Sequence, residues 1–225
     1  MSLIASTIIQ GSDGLSGIRG ILHDTDATAY RWSNTKLLGY LNSAQRFVVM
    51  CNPKANVSNL PWQLAAGTFQ TLPTGGIEII DIMCNMGTGT TPGSAITLIE
   101  RATLDQMRPA WRADTASATV QYWMFNEKDP SHFEVYPAQP STGMGYVQGA
   151  YAANPTDIAT INDAITIPDI YQSPLEKYVL FLAYSTETSM EALQQAVGYY
   201  NTCVAELDRK DLIMKTYSPR AGGQQ

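Results

Sequence analysis

Apolar and polar positions along this chain follow two rhythms, helical toward both ends and strand-like between them. Over residues 15–22, Leu15, Ile18, Ile21 and Leu22 fall on one side of a short helix. Gly14, Gly17 and Gly20 weaken it, so it depends on tertiary packing. The stretch His23, Asp24, Thr25, Asp26 then breaks the pattern. A second helix is clearer: Leu37, Leu41, Ala44, Val48 and Cys51 recur at spacings of four and three, and Leu38 and Phe47 widen the stripe. Ser33 is its N-cap and Pro53 its stop. Near the other end Pro174, following Ser173, suits a first helical turn and opens a helix over 175–184. Met190, Leu193, Val197, Tyr200, Val204 and Leu207 then alternate by threes and fours, a seam of about two and a half heptads that suits packing on other helices. Its companion stripe is expected on the helix at 37–51.

Between residues 52 and 168, Pro, Gly, Thr and Asn become frequent and apolar residues come in short runs bounded by turn residues. Strands are predicted at 77–83, 119–125, 132–136 and 145–152. The loop 126–131 makes a hairpin of the second and third. A short helix over 102–108 ends at Pro109. The chain is thus predicted to be α+β in one domain, 1–225. It is expected to be mainly a helical bundle built from 15–52 and 170–214, with a small antiparallel β-rich subdomain inserted at 53–169 and a C-terminal arm at 215–225.

Composition narrows the function. Charged residues make up 15% of the chain, against about 25% in typical soluble domains, as suits a surface that meets other subunits or one that is polar but uncharged. The net charge of −6 lacks the basic footprint of a protein that grips phosphates. Three cysteines at wide spacing, Cys51, Cys84 and Cys203, read as reduced thiols, with Cys51 and Cys203 as small core residues in helical stripes. Residues 1–10 have no basic region and are not read as a signal peptide. No stretch approaches the roughly 20 apolar residues that span a bilayer.

Catalytic patterns are poor. His23 and His132 are far apart and in no metal-ligand spacing. No nucleophile elbow is present. The glycine-rich segment 87–93 looks superficially like a phosphate loop, but it lacks the Lys-Ser/Thr that would follow, and Pro92 removes an amide donor; it reads as a hairpin tip. Asp24 and Asp26 read as a turn rather than a metal pair. The strand aromatics Tyr122, Trp123, Phe125, Phe133, Tyr136, Tyr146 and Tyr151 have only Lys128 near them and read as packing rather than a base-stacking platform. No catalytic residue, metal site or cofactor is expected. The last residues, from Thr216 on, cannot build a core; they read either as a frayed tail or as an arm that orders on a partner.

Several segments together resemble one family. They are Arg31-Trp32-Ser33 with the helix 37–46, the stretch Gly67-Thr68-Phe69-Gln70-Thr71-Leu72-Pro73, and the strand end at 81–87. Residues 104–111, the run 129–137, and Ile167-Pro168-Asp169 complete the set. In order and spacing, over residues 15–212, the chain resembles phage head-to-tail connector proteins, the tubular adaptors of short-tailed phages included. The resemblance implies a structural virion protein at the head–tail junction, assembled in the host cytoplasm as a ring of twelve copies below the portal protein. Such a ring provides a DNA channel and a platform for the downstream tail (nozzle) protein, with tail fibres as a further partner and no membrane. Genomic DNA passes through unbound, as acidic walls would favour. Glu187, Glu191 and Glu206, off the apolar seam of the last helix, are expected either to face this channel or to form a solvated helix face. Tyr217, Ser218, Pro219 and Arg220 are expected to form the portal-contacting arm. The competing readings are another tail-completion, stopper or fibre-attachment protein, or an enzyme whose site is not evident in sequence.

Overall fold

The computed structural model describes residues 3–11, 13 and 16–216, with side chains to residue 209 of the last helix. In chain order the helices are α1 (Ala5–Ile9), α2 (Ile18–Ile21), α3 (Asn34–Cys51), α4 (Arg101–Met107), α5 (Gln172–Ser185) and α6 (Met190–Thr216). The strands are β1 (Val57–Ser58), β2 (Pro61–Gln63), β3 (Gly67–Thr71), β4 (Gly76–Met86), β5 (Pro92–Ala95), β6 (Thr97–Leu98), β7 (Tyr122–Phe125), β8 (His132–Gln139) and β9 (Tyr146–Ala153). The chain divides into two compact units, one from residues 1–56 and 155–225, the other from 57–154.

The first unit is helical. Leu37, Leu38, Leu41, Ala44, Val48 and Val49 form the buried face of α3, and the Ser33 hydroxyl caps it by accepting from the Lys36 amide at 3.2 Å. The helix α5 packs against both α3 and α6, burying Leu175, Val179, Leu180 and Ala183. Ahead of these lies α1, with Ala5, Ile8 and Ile9 fully buried. Its entry is tied to a distant stretch of chain: the amides of Ala5 and Ser6 donate to the carbonyls of Asp163 (3.1 Å) and Ile161 (2.7 Å), and that of Ile165 donates to Leu3 (2.7 Å). Helix α2 is shorter than expected, and Leu15 lies outside the described residues. A Cβ on Gly17 would come within 2.5 Å of the Gly11 nitrogen, so these glycines permit a close backbone approach before the helix begins.

The expected seam of α6 requires correction. The face it turns inward is Ala192, Ala196, Cys203 and Leu207, of which Leu207 belongs to the expected seam; Val204 is half-buried, while Met190, Leu193, Val197 and Tyr200 stay exposed. Two stripes with the same helical spacing run side by side, and the smaller residues are the ones that let α6 approach α5 closely. Its main companion is α5, not α3, which reaches α6 through Phe47 and Tyr200 at 6.0 Å between ring centroids. Cys203 is buried as expected; Cys51, at the last position of α3, is exposed.

The second unit overturns the expectation of a mainly helical bundle. Residues 57–154 hold all nine strands found among the described residues, in two sheets: β1-β9-β4-β5, with β2 also on β9, and β3-β8-β7-β6. The pairing is antiparallel except for β6 with β7. One apolar cluster draws on both sheets: Ile79, Ile82, Val147 and Tyr151 from the first, Trp123, Phe133 and Val135 from the second, with Leu64, Leu72, Ile96 and Val120 from connecting segments. A smaller cluster of Leu104, Trp111, Met124 and Tyr136 seats α4. The fold is α+β with a β unit that has its own core. The strands missing from the sequence reading, β1, β2, β3, β5 and β6, are two to five residues long, too short to set up an alternation, and β5 is exposed throughout.

Candidate functional site

The groups most able to do chemistry lie in the β unit and are engaged with one another. On the β7–β8 hairpin, His132 Nδ1 meets the Asp129 carboxylate at 2.7 Å and the Ser131 hydroxyl at 3.0 Å, and the Phe69 ring stacks on the imidazole at 4.9 Å. Hydroxyl and carboxylate share one ring nitrogen, whereas a proton relay needs them on opposite nitrogens. This trio ties the hairpin loop together.

The segments that carry the family resemblance are likewise clamps. Asp105 accepts from the Trp111 indole at 2.7 Å and from Arg112 at 3.0 Å, and the indole bond, assisted by Arg112, holds its carboxyl below the ordinary value. The Tyr136 hydroxyl donates to Asp114 and accepts from Arg108, each at 2.8 Å; the bond to Asp114 raises the phenol above its usual range. Arg101 Nε reaches Glu134 at 2.7 Å. In the 67–73 segment, Gln70 donates to the carbonyls of Ala65 and Gly67 and accepts the Ala65 amide. In the 81–87 segment, Asn85 accepts the Val120 amide and donates to the Val120 carbonyl, each at 2.8 Å. In the helical unit the 31–33 segment meets a buried ion pair. Arg19 donates to Asp24 (2.7 Å), to the Trp32 carbonyl (3.0 Å) and to Asn34 (2.6 Å), with its guanidinium 3.4 Å from the centre of the Tyr30 ring.

The Asp24 and Asp26 pair therefore splits. Asp24 serves Arg19 and the amides of Arg31 and Trp32, while Asp26 closes its own turn on Thr28. Of the glycine-rich segment 87–93, residues 87–91 join β4 to β5, with the Gly87 amide bonded to the Thr91 carbonyl at 2.9 Å, and Pro92 and Gly93 open β5. Among the described residues no cluster of three or more His, Cys, Asp or Glu is placed to hold a metal, and no helix is long and apolar enough to cross a membrane.

What stands out is a surface on the helical unit. Four rings, Phe47 of α3, Tyr178 and Phe181 of α5 and Tyr200 of α6, form a closed circuit with centroids 4.3, 5.5, 5.2 and 6.0 Å apart. Beside it run the exposed Met190, Leu193 and Val197, and one turn beyond Phe47 lies Met50, 72% exposed. Burial raises the Tyr178 hydroxyl above its usual range. On the other side of α6, Tyr184 and Tyr199 stack at 5.7 Å and help line an open groove of about 330 Å³ with Ile21, Gln195, Gly198 and Thr202. The sequence showed the apolar repeat of α6 but not which of its stripes would be left uncovered.

Of the acidic residues singled out in sequence, Glu187 lies just before α6 and pairs with Arg31 at 3.2 Å. Glu191 is exposed in the first turn of α6, and Glu206 is half-buried further along it. The structure does not bring the three together into one cluster. Tyr217, Ser218, Pro219 and Arg220 lie outside the described residues.

Residues 15–222 match the model of the SU10 adaptor protein family. No curated protein matches the chain. With the match covering nearly the whole sequence, the chain belongs to the SU10 adaptor protein family, a family of phage adaptors.

Proposed function

We propose that this chain is the head-to-tail adaptor of a phage particle. In this reading a ring of copies docks beneath the portal protein, surrounds the path of the DNA and presents a platform to the next tail component. The reading is carried by the family match across residues 15–222. The uncovered apolar and aromatic surface of the helical unit agrees with it, because large exposed apolar patches mark protein contacts rather than solvent-facing surface. A chain of net charge −6 suits a channel through which DNA slides without being held.

Within this proposal the carboxylates at Glu187, Glu191 and Glu206 contribute to the channel wall. Glu191 is the most effective of them, being exposed, whereas the charge of Glu187 is offset by Arg31. The arm at Tyr217, Ser218, Pro219 and Arg220 contacts the portal. Negative-stain imaging of the full chain with and without the portal protein of its own phage tests the reading. Twelvefold collars that appear with the portal are the expected result. A chain that neither binds the portal nor forms collars would overturn it.

A further inference from the structure

The two flanks of α6 differ in a way that its packing on α5 does not explain. Its inward face is the line Ala192, Ala196, Cys203, Leu207. On one side of that line stand Met190, Leu193, Val197 and Tyr200, exposed by 71%, 42%, 58% and 38%. On the other side Gln195, Gly198 and Thr202 line the groove that Ile21, Tyr184 and Tyr199 complete. At about 100° per residue, Leu193 and Gln195 lie about 200° apart around the helix, so the apolar stripe and the groove occupy opposite flanks.

The groove is open because of Gly198. A Cβ at that position would meet nothing within 4 Å, so no neighbour in the chain itself demands a glycine there. Glycine inside a helix is nevertheless destabilising, and the missing side chain leaves room there for the close approach of something outside the chain. The stripe is also large enough to matter. Its exposed fractions amount to on the order of 400 Å² of side chain, about half of what one partner contributes to a standard interface. Met50 extends it onto α3. The four stripe residues are uncharged, as are the six residues that line the groove; Lys177 lies near the groove, 5.7 Å from the Tyr199 ring.

We infer that the occupant of the groove is the apolar stripe of a second copy of this chain, so that α6 of each subunit carries both halves of a head-to-tail contact. An interface between two different patches on opposite sides of one subunit propagates in one direction and closes into a ring when the rotation per step divides a full turn. A stripe that paired with itself would stop at a dimer and leave the groove empty. The inference rests on the adaptor reading for its biological setting, but it concerns which surfaces meet.

Two substitutions separate the halves. Gly198→Leu fills the groove where the chain has open space, and it replaces a poor helix former with a good one. Val197→Glu puts a charge on the exposed stripe. Both variants are expected to keep the parent's circular-dichroism spectrum and a cooperative melt, lowered at most by the stabilisation that self-association gives the parent, which shows that they fold. Sedimentation of the full chain, across concentrations and with portal rings added, reads the outcome. The parent is expected to form oligomers, each variant alone to remain monomeric, and an equimolar mixture to stop at a one-to-one dimer, since each variant brings one intact flank. Gly198→Leu associating like the parent would overturn the inference. So would a variant that keeps self-association and loses only portal binding, which would assign the groove to the portal. A parent that binds the portal as single copies overturns this inference and leaves portal docking standing. A parent that does neither removes both.

Discussion

At the scale of single residues, the polar groups that matter are those buried with partners. Arg19 is 1% exposed and Asp24 7%, and together they hold the backbone that leads into α3. Removing one charge strands the other, so Asp24→Asn is expected to cost about 3–5 kcal/mol of stability in urea unfolding, the usual cost of breaking a buried pair. This pair was not legible in sequence. Asp24 looks like its neighbour Asp26, and only the tertiary position of Arg19 distinguishes them. Asp163 shows a milder effect at the surface, where its carboxylate accepts from the amides of Ala159 and Thr160 and from the Thr160 hydroxyl, at 2.7 to 2.9 Å. The Thr160 hydroxyl and these amides lower its pKa from the ordinary 3.8. A depressed carboxylate contributes stability above its unfolded value and loses it as pH falls through the folded one. Denaturant titrations at acid pH should therefore show a shallower loss of stability below pH 3.8 in Asp163→Ala than in the parent.

At the scale of elements, α3 was readable because one strong stripe, a cap and a proline all agreed. In α6 two helical stripes compete, and the larger apolar residues lost to alanines that allow closer packing. The β unit depends on tethers between short segments. Asn85, at the end of β4, satisfies both the amide and the carbonyl of Val120 just before β7. Asn85→Leu would leave that buried amide and carbonyl without the Asn85 partner, at an expected cost of about 1–3 kcal/mol. The checks are a lower melting midpoint and faster hydrogen exchange at the Val120 amide. Such a bond spans 35 residues, which is why no local pattern announces it.

At the scale of the whole molecule, the chain combines a helical unit interrupted in sequence by a β unit with its own core. The segments by which it resembles the adaptors are clamps rather than reactive groups, which explains why the resemblance was carried by order and spacing and not by a catalytic signature. The collar experiment tests the role at this scale, and the Gly198 and Val197 variants test the surface that would build it. The long helices, the place where a β-rich stretch interrupts them, and the family are written in the order of residues, because they follow from local periodicity, turn chemistry and the order of motifs along the chain. That the β stretch makes two sheets around a common core, that Asp24 lies in a buried ion pair, and that the apolar stripe of α6 faces outward emerge only in the folded chain. Each of these depends on which distant segments meet, and one-dimensional spacing carries no information about which of two equally periodic faces finds a partner.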